Sequence, residues 1–305
     1  MVEGMELRQI EYFVAVAGEL SFTRAAERVH VVQSALSTAV AKLERELQVQ
    51  LFDRSRQQIK LTAAGERFRV HANDVLRVAR TAADSVSEFR GSLSGTVEFG
   101  SLISFGPMDV ARALGDFHSA NPFVRLRLRL SQSGASAYLS ALLDGSLDLA
   151  LVSVPNRFPP QLDMRLLFEE PMVFVCRDDH AMARRKRLQL ADVAGEELIS
   201  YPPEFGLRRL IDDAFHAAGV SPRTFYEVPA GFADIADLVA NGLGTTFMPE
   251  SEARRFPALR SVTLSDPVIW QVFLASPPAG QMTPASARLA DTLLAAAPLA
   301  GHSRQ

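Results

Sequence analysis

The chain has 305 residues, 48% of them apolar and 22% charged. That composition excludes a disordered chain and leaves room for two or three domains. The net charge of −3 argues by itself neither for nor against a nucleic-acid partner. One cysteine, Cys176, excludes an intrachain disulfide and a cysteine metal cluster; inside "PMVFVC" it reads as a buried, inert thiol. The start "MVEGMELRQIEYF" lacks the basic head, apolar run and cleavage site of a secretory signal. No run approaches the roughly 18 apolar residues of a membrane span. A cytoplasmic protein with no membrane partner is expected.

Leu7, Ile10, Phe13, Val14 and Ala17 mark a first helix ending near Gly18. The segment Ser21–Leu47 holds two helical patterns back to back. Phe22, Ala25, Ala26 and Val29 share one face behind the N-cap candidate Ser21, and Leu36, Val40, Leu43 and Leu47 form a second stripe. His30 to Val32 leave room only for a tight turn. Small polar residues, Gln33, Ser34, Ser37 and Thr38, lie off the second stripe. This is the pattern of a helix-turn-helix, in which one helix braces another whose N-terminal residues reach base edges. A plain pair of packed helices would show the same periodicity.

After Leu47, the apolar anchors Leu51 and Phe52 and the alternating Ile59 and Leu61 flank the polar tip Arg54–Gln58. That arrangement predicts a two-stranded wing whose guanidinium groups can meet phosphates. Residues 1–90 carry 13 Lys+Arg against 12 Asp+Glu, a balance of +1, while residues 51–80 carry 7 against 3, or +4. The basic surface is therefore concentrated beside the candidate reader. Thr62 is placed to cap a long helix running to about Gly91. Phe68, Ala72, Val75, Ala79, Ala82, Val86 and Phe89 recur on it at alternating intervals of four and three. This is an a/d seam of three heptads on a rod of roughly 40 Å, which predicts a dimerisation helix.

Near "GSLSG" (91–95) the pattern changes to alternating strands and helices. Strands are expected at "TVEFGSL", "VRLRLRL", in "SLDLALVSV" after Gly145, and at "PMVFVC", "ELISY", "TFYEV" and "GTTFMP". Helices are expected at Val110–His118, at "AYLSALL", from about Leu207 to Ala218, from about Ala233 to Ala240, and from about Pro284. An α/β domain with largely parallel sheets follows. Its length suggests two lobes with a cleft between them.

Residues 5–62 closely resemble the DNA-binding domain of LysR-type transcriptional regulators, through "LRQIEYFVAVA", "SFTRAAERVHVVQSALSTAVAKLERELQVQLFDRS" and "LTAAGE". "LLDGSLDLAL" and "LVANGLGTTFMPES" resemble the same family's effector domain. The resemblance implies a mixed architecture. An all-α-type winged helix-turn-helix (5–62) would be followed by a long linker helix (63–91). An α/β, two-lobed effector domain of the periplasmic-binding-protein type (92–305) would complete the chain, its second lobe at roughly 166–268. It also implies a dimer or dimer of dimers that binds double-stranded DNA at two-fold related half-sites.

Gln33, Ser34 and Ser37 match the family's recognition helix, and Arg54 and Arg56 its wing. With Ser21, Thr23, Arg24, Thr38 and Lys42 they are the candidate DNA contacts. Two departures stand out: Val32 replaces the usual capping Ser, and Thr38 replaces a common Arg. Losing the cap costs on the order of 1 kcal/mol. The effector pocket implied between the lobes would draw on Ser101, Ser104, Ser133, Ser136, Ser153, Tyr201, Phe205, Phe247 and Met248. Small hydroxyl residues near helix N-termini suit an anion, which suggests a small organic acid.

Two other functions compete. An enzyme is disfavoured because the six His residues lack metal-ligand spacing and no glycine-rich phosphate loop occurs. "DDH" (178–180) beside the basic run "RRKR" (184–187) reads as a solvated loop. An exported solute-binding protein would fit the lobes but not the N-terminal module. Neither a cofactor nor a metal is expected.

Overall fold

The computed structural model describes residues 4–54, 59–87, 92–102, 106–130, 134–153, 158–229 and 231–298. The chain divides into two compact units, Met1–Ser92 with Leu143–Ser146, and Leu93–Leu142 with Leu147–Gln305.

In the first unit, helices α1 (Leu7–Glu19), α2 (Phe22–Arg28) and α3 (Gln33–Glu46) enclose a core built on Phe13, Val16, Ala25, Leu36, Val40 and Leu43. Four residues suffice between α2 and α3 because His30 takes a left-handed backbone (φ 55°). The N–H of His30 then donates to Glu27 O at 3.2 Å, and that of Val31 to Ala26 O at 3.0 Å. This is a Schellman stop, which satisfies the Ala26 and Glu27 carbonyls at the end of α2 and turns the chain into α3. Strands β1 (Phe52–Asp53) and β2 (Lys60–Leu61) pair antiparallel as the base of the wing. Helix α4 (Ala63–Ser87) starts on Thr62, whose hydroxyl accepts from the Gly65 N–H at 3.0 Å. Gly65 is required by contact: a Cβ there would lie 2.1 Å from the Leu51 carbonyl oxygen.

The first turns of α4 correct the seam expected from the heptads. Phe68 packs edge-on against Phe13 at 4.9 Å, and Ala72 is fully buried in the same core. Both belong to the unit's own interior because α4 begins by lying on α1. Val75, Ala79 and Ala82 lie further along, where Val75 is 40% exposed, and the neighbouring Val78, outside the predicted seam, is 58% exposed. Val86 is on α4 with its side chain outside the described residues, as Phe89 is altogether.

The second unit begins with β3 (Ser94–Ser101), α5 (Val110–Ala120), β4 (Phe123–Leu130), α6 (Gly134–Leu143) and β5 (Leu149–Val152). The long β6 (Asp163–Arg177) follows, then β7 (Arg187–Leu188), α7 (Leu190–Val193), β8 (Leu198–Ser200) and α8 (Gly206–Ala217). β9 (Thr224–Glu227), α9 (Phe232–Ala240), β10 (Thr246–Pro249) and α10 (Glu250–Ala253) precede β11 (Leu259–Leu264), β12 (Ile269–Ser276) and α11 (Pro284–Ala296).

The main sheet runs β4-β3-β5-β12-β6-β11-β7, with β10 also on β6, and β8 pairs β9 separately. β3 is parallel to β4 and β5, but β12, β10 and β11 are all antiparallel to their β6 neighbour. The sheet is therefore mixed rather than largely parallel. The reason is β6 itself: "PMVFVC" is the second half of a 15-residue strand. Its residues 163–171 pair with β12 in one lobe and 172–177 with β10 and β11 in the other. A single strand thus stitches two lobes together, and helices cover the sheet where Phe99, Phe117, Phe174, Phe215 and Trp270 are buried.

Candidate DNA-reading head and effector cleft

The N-terminal turn of α3 is presented to solvent by the core beneath it. Leu36, Val40 and Leu43 are fully buried, while Val32, Gln33, Ser34, Ala35 and Thr38 are exposed and Ser37 is half-buried. Val32 occupies the N-cap with no side-chain hydrogen bond, as its lack of an acceptor requires. On α2, Ser21 caps through its hydroxyl, which accepts from the Arg24 N–H at 3.3 Å, and Thr23 is exposed.

The basic residues are less free than their composition suggested. Arg24 and Arg28 both reach Glu19, and Lys42 lies 3.0 Å from Glu6 and 3.7 Å from Glu46. The hydrogen bond to Glu6 raises the Lys42 pKa above the usual lysine value. Arg54 is a structural residue as much as a candidate contact. Its guanidinium donates to Glu44 Oε2 at 2.9 Å and lies over the Phe22 ring at 4.9 Å. Glu44 is 5% exposed, and its Oε1 accepts the backbone N–H of Leu51 (2.8 Å) and Phe52 (3.1 Å). This buried carboxylate fixes the entry to the wing. Sequence reasoning passed over it because Glu44 sits beside the apolar stripe, where a charged residue ordinarily faces water. Arg56 lies outside the described residues.

In the second unit the predicted pocket residues fall into three groups. Ser136, in the first turn of α6, and Ser153, just after β5, lie where the lobes meet. The α8 backbone approaches Ser153 so closely that a Cβ on Gly206 would be 2.4 Å from its carbonyl oxygen. From the same helix Arg209 extends Nη2 to Ser136 Oγ (3.5 Å) and Glu204 O (3.4 Å), and its buried Nε has no partner. Ser101, Tyr201 and Phe205 are buried around this seam. The Ser101 carbonyl accepts the Tyr138 hydroxyl at 2.6 Å. Tyr201 stacks on Phe205 at 5.4 Å, its hydroxyl unpartnered, and burial and the Glu252 charge push its pKa far above the usual tyrosine value. Phe247 and Met248 are placed elsewhere. Phe247 packs against Phe174 (5.7 Å) and Phe215 (5.9 Å), and Met248 is fully buried in the second lobe. Strand alternation on β10 directs their side chains to opposite faces of the sheet.

A cavity of about 10 Å³ lies under α8, lined by Tyr201, Ile211, Asp212, Thr224, Thr246 and Phe247. That is room for about one water. It lies within the second lobe and not between the lobes. Ser104 and Ser133 are outside the described residues. Arg209 is the functional candidate the sequence did not give up, since nothing in "LRRLIDD" separates it from its neighbour. Arg208 instead turns to Asp212 and Glu227. Cys176 is fully buried, and burial, with Glu196 next, pushes its thiol up to about 11. Among the described residues no group of His, Cys, Asp and Glu could hold a metal ion, and no helix is long and apolar enough to cross a membrane.

The chain matches two family descriptions in order. Residues 7–66 match the bacterial regulatory helix-turn-helix protein, lysR family, and residues 90–298 the LysR substrate binding domain. It is 32% identical over 248 residues to the transcriptional dual regulator GltC of Bacillus subtilis, spanning 81% of each chain. Full-length OxyR from Pseudomonas aeruginosa shares the fold, with a TM-score of 0.74 and 24% identity over 97% of this chain and 96% of that one. CbnR, a LysR family regulator solved in complex with its target DNA, superposes with a TM-score of 0.63 at 25% identity, over 96% of this chain and 100% of that one. An exposed recognition turn, a wing held from within and a two-lobed mixed α/β domain thus occur in one chain with both family signatures, and the protein belongs to the LysR family of DNA-binding transcriptional regulators with an effector-binding domain.

Proposed function

We propose that this regulator couples the occupation of its lobe seam by a small organic acid to the spacing of paired DNA-reading heads. In this reading residues 5–62 read DNA, 63–91 pair two chains, and 92–305 bind the effector, with the second lobe at about 166–268. Gln33, Ser34, Ser37 and Thr38 face base edges, with Thr23 and the exchangeable cations Arg24 and Lys42 beside them. Val75, Val78, Ala79 and Ala82 make the apolar strip against a partner. The protein acts by binding rather than by turnover, in the cytoplasm where its DNA lies.

The observation that carries the effector reading is Arg209. Among the described residues, a guanidinium from one lobe makes only long contacts, at 3.4 and 3.5 Å, with groups at the seam, one of them a serine of the other lobe. A carboxylate placed between Arg209 and Ser136 replaces those contacts with charge-assisted ones and draws the lobes together. Closure shifts the chain toward whichever arrangement binds the acid more tightly.

The test is a thermal-shift screen of small mono- and dicarboxylates beside their uncharged amides, on the full chain and on Arg209→Gln. At a concentration 100 times Kd, an acid stabilises by about 2.7 kcal/mol, which shifts Tm by about 5–10 °C. Only the acids should act, and only on the native chain. The same shift in Arg209→Gln would place the site elsewhere. Unchanged DNA footprints with a saturating acid would remove the coupling.

A further inference from the structure

The head of α3 carries an apolar side chain in a place where a reader ordinarily carries a hydrogen-bonding one. Val32 is 68% exposed, the most exposed of the large apolar residues described in the first unit. It stands at the N-cap, where its backbone carbonyl receives Ala35 N–H and Leu36 N–H at 3.1 and 3.3 Å. The side chain makes no cap bond, so the position forgoes the stabilisation a serine would give. Neither the core nor the helix end gains from this choice. Ala35 and Thr38, both exposed, continue the same side of α3 at three-residue spacing. That exposed side of α3 therefore shows the two Val32 methyls, the Ala35 methyl and the Thr38 side chain.

We propose that Val32 is a specificity-determining residue that reads the 5-methyl group of thymine in the major groove. The four base pairs present distinct edges there, and the thymine methyl is the one apolar feature among them. Val32 has no donor or acceptor with which to answer N7, O6 or an exocyclic amino group. Set against those edges, it would strip them of water without a hydrogen bond in return. Set against a methyl, it buries two apolar groups. A β-branched side chain at a helix N-terminus also has few rotamers to lose on contact. Attraction to thymine and rejection of the polar edges thus point the same way, which is how a single contact discriminates.

The inference rests on α3 being the reading helix, and the experiment separates that premise from the proposal. The full chain is titrated by anisotropy against its selected duplex, with symmetric dT positions replaced by deoxyuridine, one pair at a time. At one pair, loss of the methyl should weaken native binding about fourfold per half-site, the worth of one buried methyl. Val32→Ser, which restores the cap, should bind both duplexes alike, while Val32→Thr, which keeps one methyl, should retain part of the preference. The salt dependence should be the same for all three proteins, because no phosphate contact is altered. Gln33→Ala tests the premise: it should lower the ratio of specific to non-specific binding whatever the outcome at Val32. The proposal is overturned if no dT pair shows a methyl effect, or if Val32→Ser keeps it at full size. If Gln33→Ala also leaves the ratio unchanged, the reading helix is misassigned.

Discussion

Replacing Glu44 tests how the wing is held. Its carboxylate accepts two backbone N–H groups, those of Leu51 and Phe52, and one Arg54 guanidinium. In Glu44→Ala both N–H groups remain buried without an acceptor, since Leu51 and Phe52 are each 1% exposed. At about 1–3 kcal/mol for each unsatisfied group, the loss is about 2–6 kcal/mol. A domain of this size is stable by about 5–15 kcal/mol, so the wing should open or the first unit unfold. The Arg54 pair adds little, because Arg54 is 40% exposed on its side chain and exposed pairs contribute at most about 1 kcal/mol. Glu44→Gln isolates the two effects: its amide oxygen still accepts both N–H groups, and only the charge is lost, at a cost of about 1 kcal/mol. The assay is denaturant unfolding of the full chain, with hydrogen exchange read at the Leu51 and Phe52 amides. Exchange should quicken greatly in Ala and little in Gln. Ala and Gln variants within about 0.5 kcal/mol of each other, with equal exchange, would show that the backbone contacts do not hold the wing.

Gly65→Ala drives a Cβ to 2.1 Å from the Leu51 carbonyl, and relief of that overlap should destabilise the first unit by about 1–3 kcal/mol, measured as a lower unfolding midpoint together with weaker DNA binding. Glu170 is buried against Ser251, and burial raises its pKa despite the Ser251 hydrogen bonds, with Glu252 and Glu250 adding to the rise. The folded chain then holds the proton to higher pH than the unfolded one, so stability falls as pH rises from the unfolded value through the folded one. Glu170→Gln should flatten that slope, and equal slopes in the two proteins would contradict it. Thr38→Arg adds a cation to the exposed face of α3, so binding should tighten and log Kd against log salt should steepen by about 0.9 for each new phosphate contact; unchanged affinity and slope would place Thr38 away from the DNA.

The elements were legible where one physical rule acts alone. Apolar periodicity located α1 to α4 and most strands of the second unit, and Ser21 and Thr62 cap as their positions predict. Periodicity names a face without naming what the face meets. Phe68 and Ala72 fit a seam between chains by spacing alone, yet they pack on α1 in the unit's own core. Periodicity also cannot separate Phe247, which lines the small cavity inside the second lobe, from Met248, which β10 turns to the opposite face and into the core. Strand direction was not legible either, because the crossing role of β6 depends on pairing partners more than 80 residues away. Glu44 and Arg209 were missed for a third reason. Each is an ordinary charged residue on a helix until its neighbours in space are known.

The pairing of cations bears on how the reader grips DNA. Arg24 and Arg28 lean on Glu19, and Lys42 on Glu6. These partners are water-exposed to differing degrees, and such pairs are weak enough to be exchanged for a phosphate. Arg54 leans on Glu44 in the same way, and because its guanidinium is 40% exposed and Glu44 keeps its two backbone N–H donors, that pair is also weak. Each of these cations thus has an acidic partner to give up first, and α3 opens on an uncharged valine and presents a threonine. In the proposed reading, a single head with so few free charges holds DNA weakly, and pairing two heads through α4 would convert the second contact into an intramolecular one, so that affinity would reside mainly in the pair. On that reading, altering only the spacing between heads would be enough to switch binding, with no change at any base contact. That is the lever a closing lobe seam around Arg209 can move.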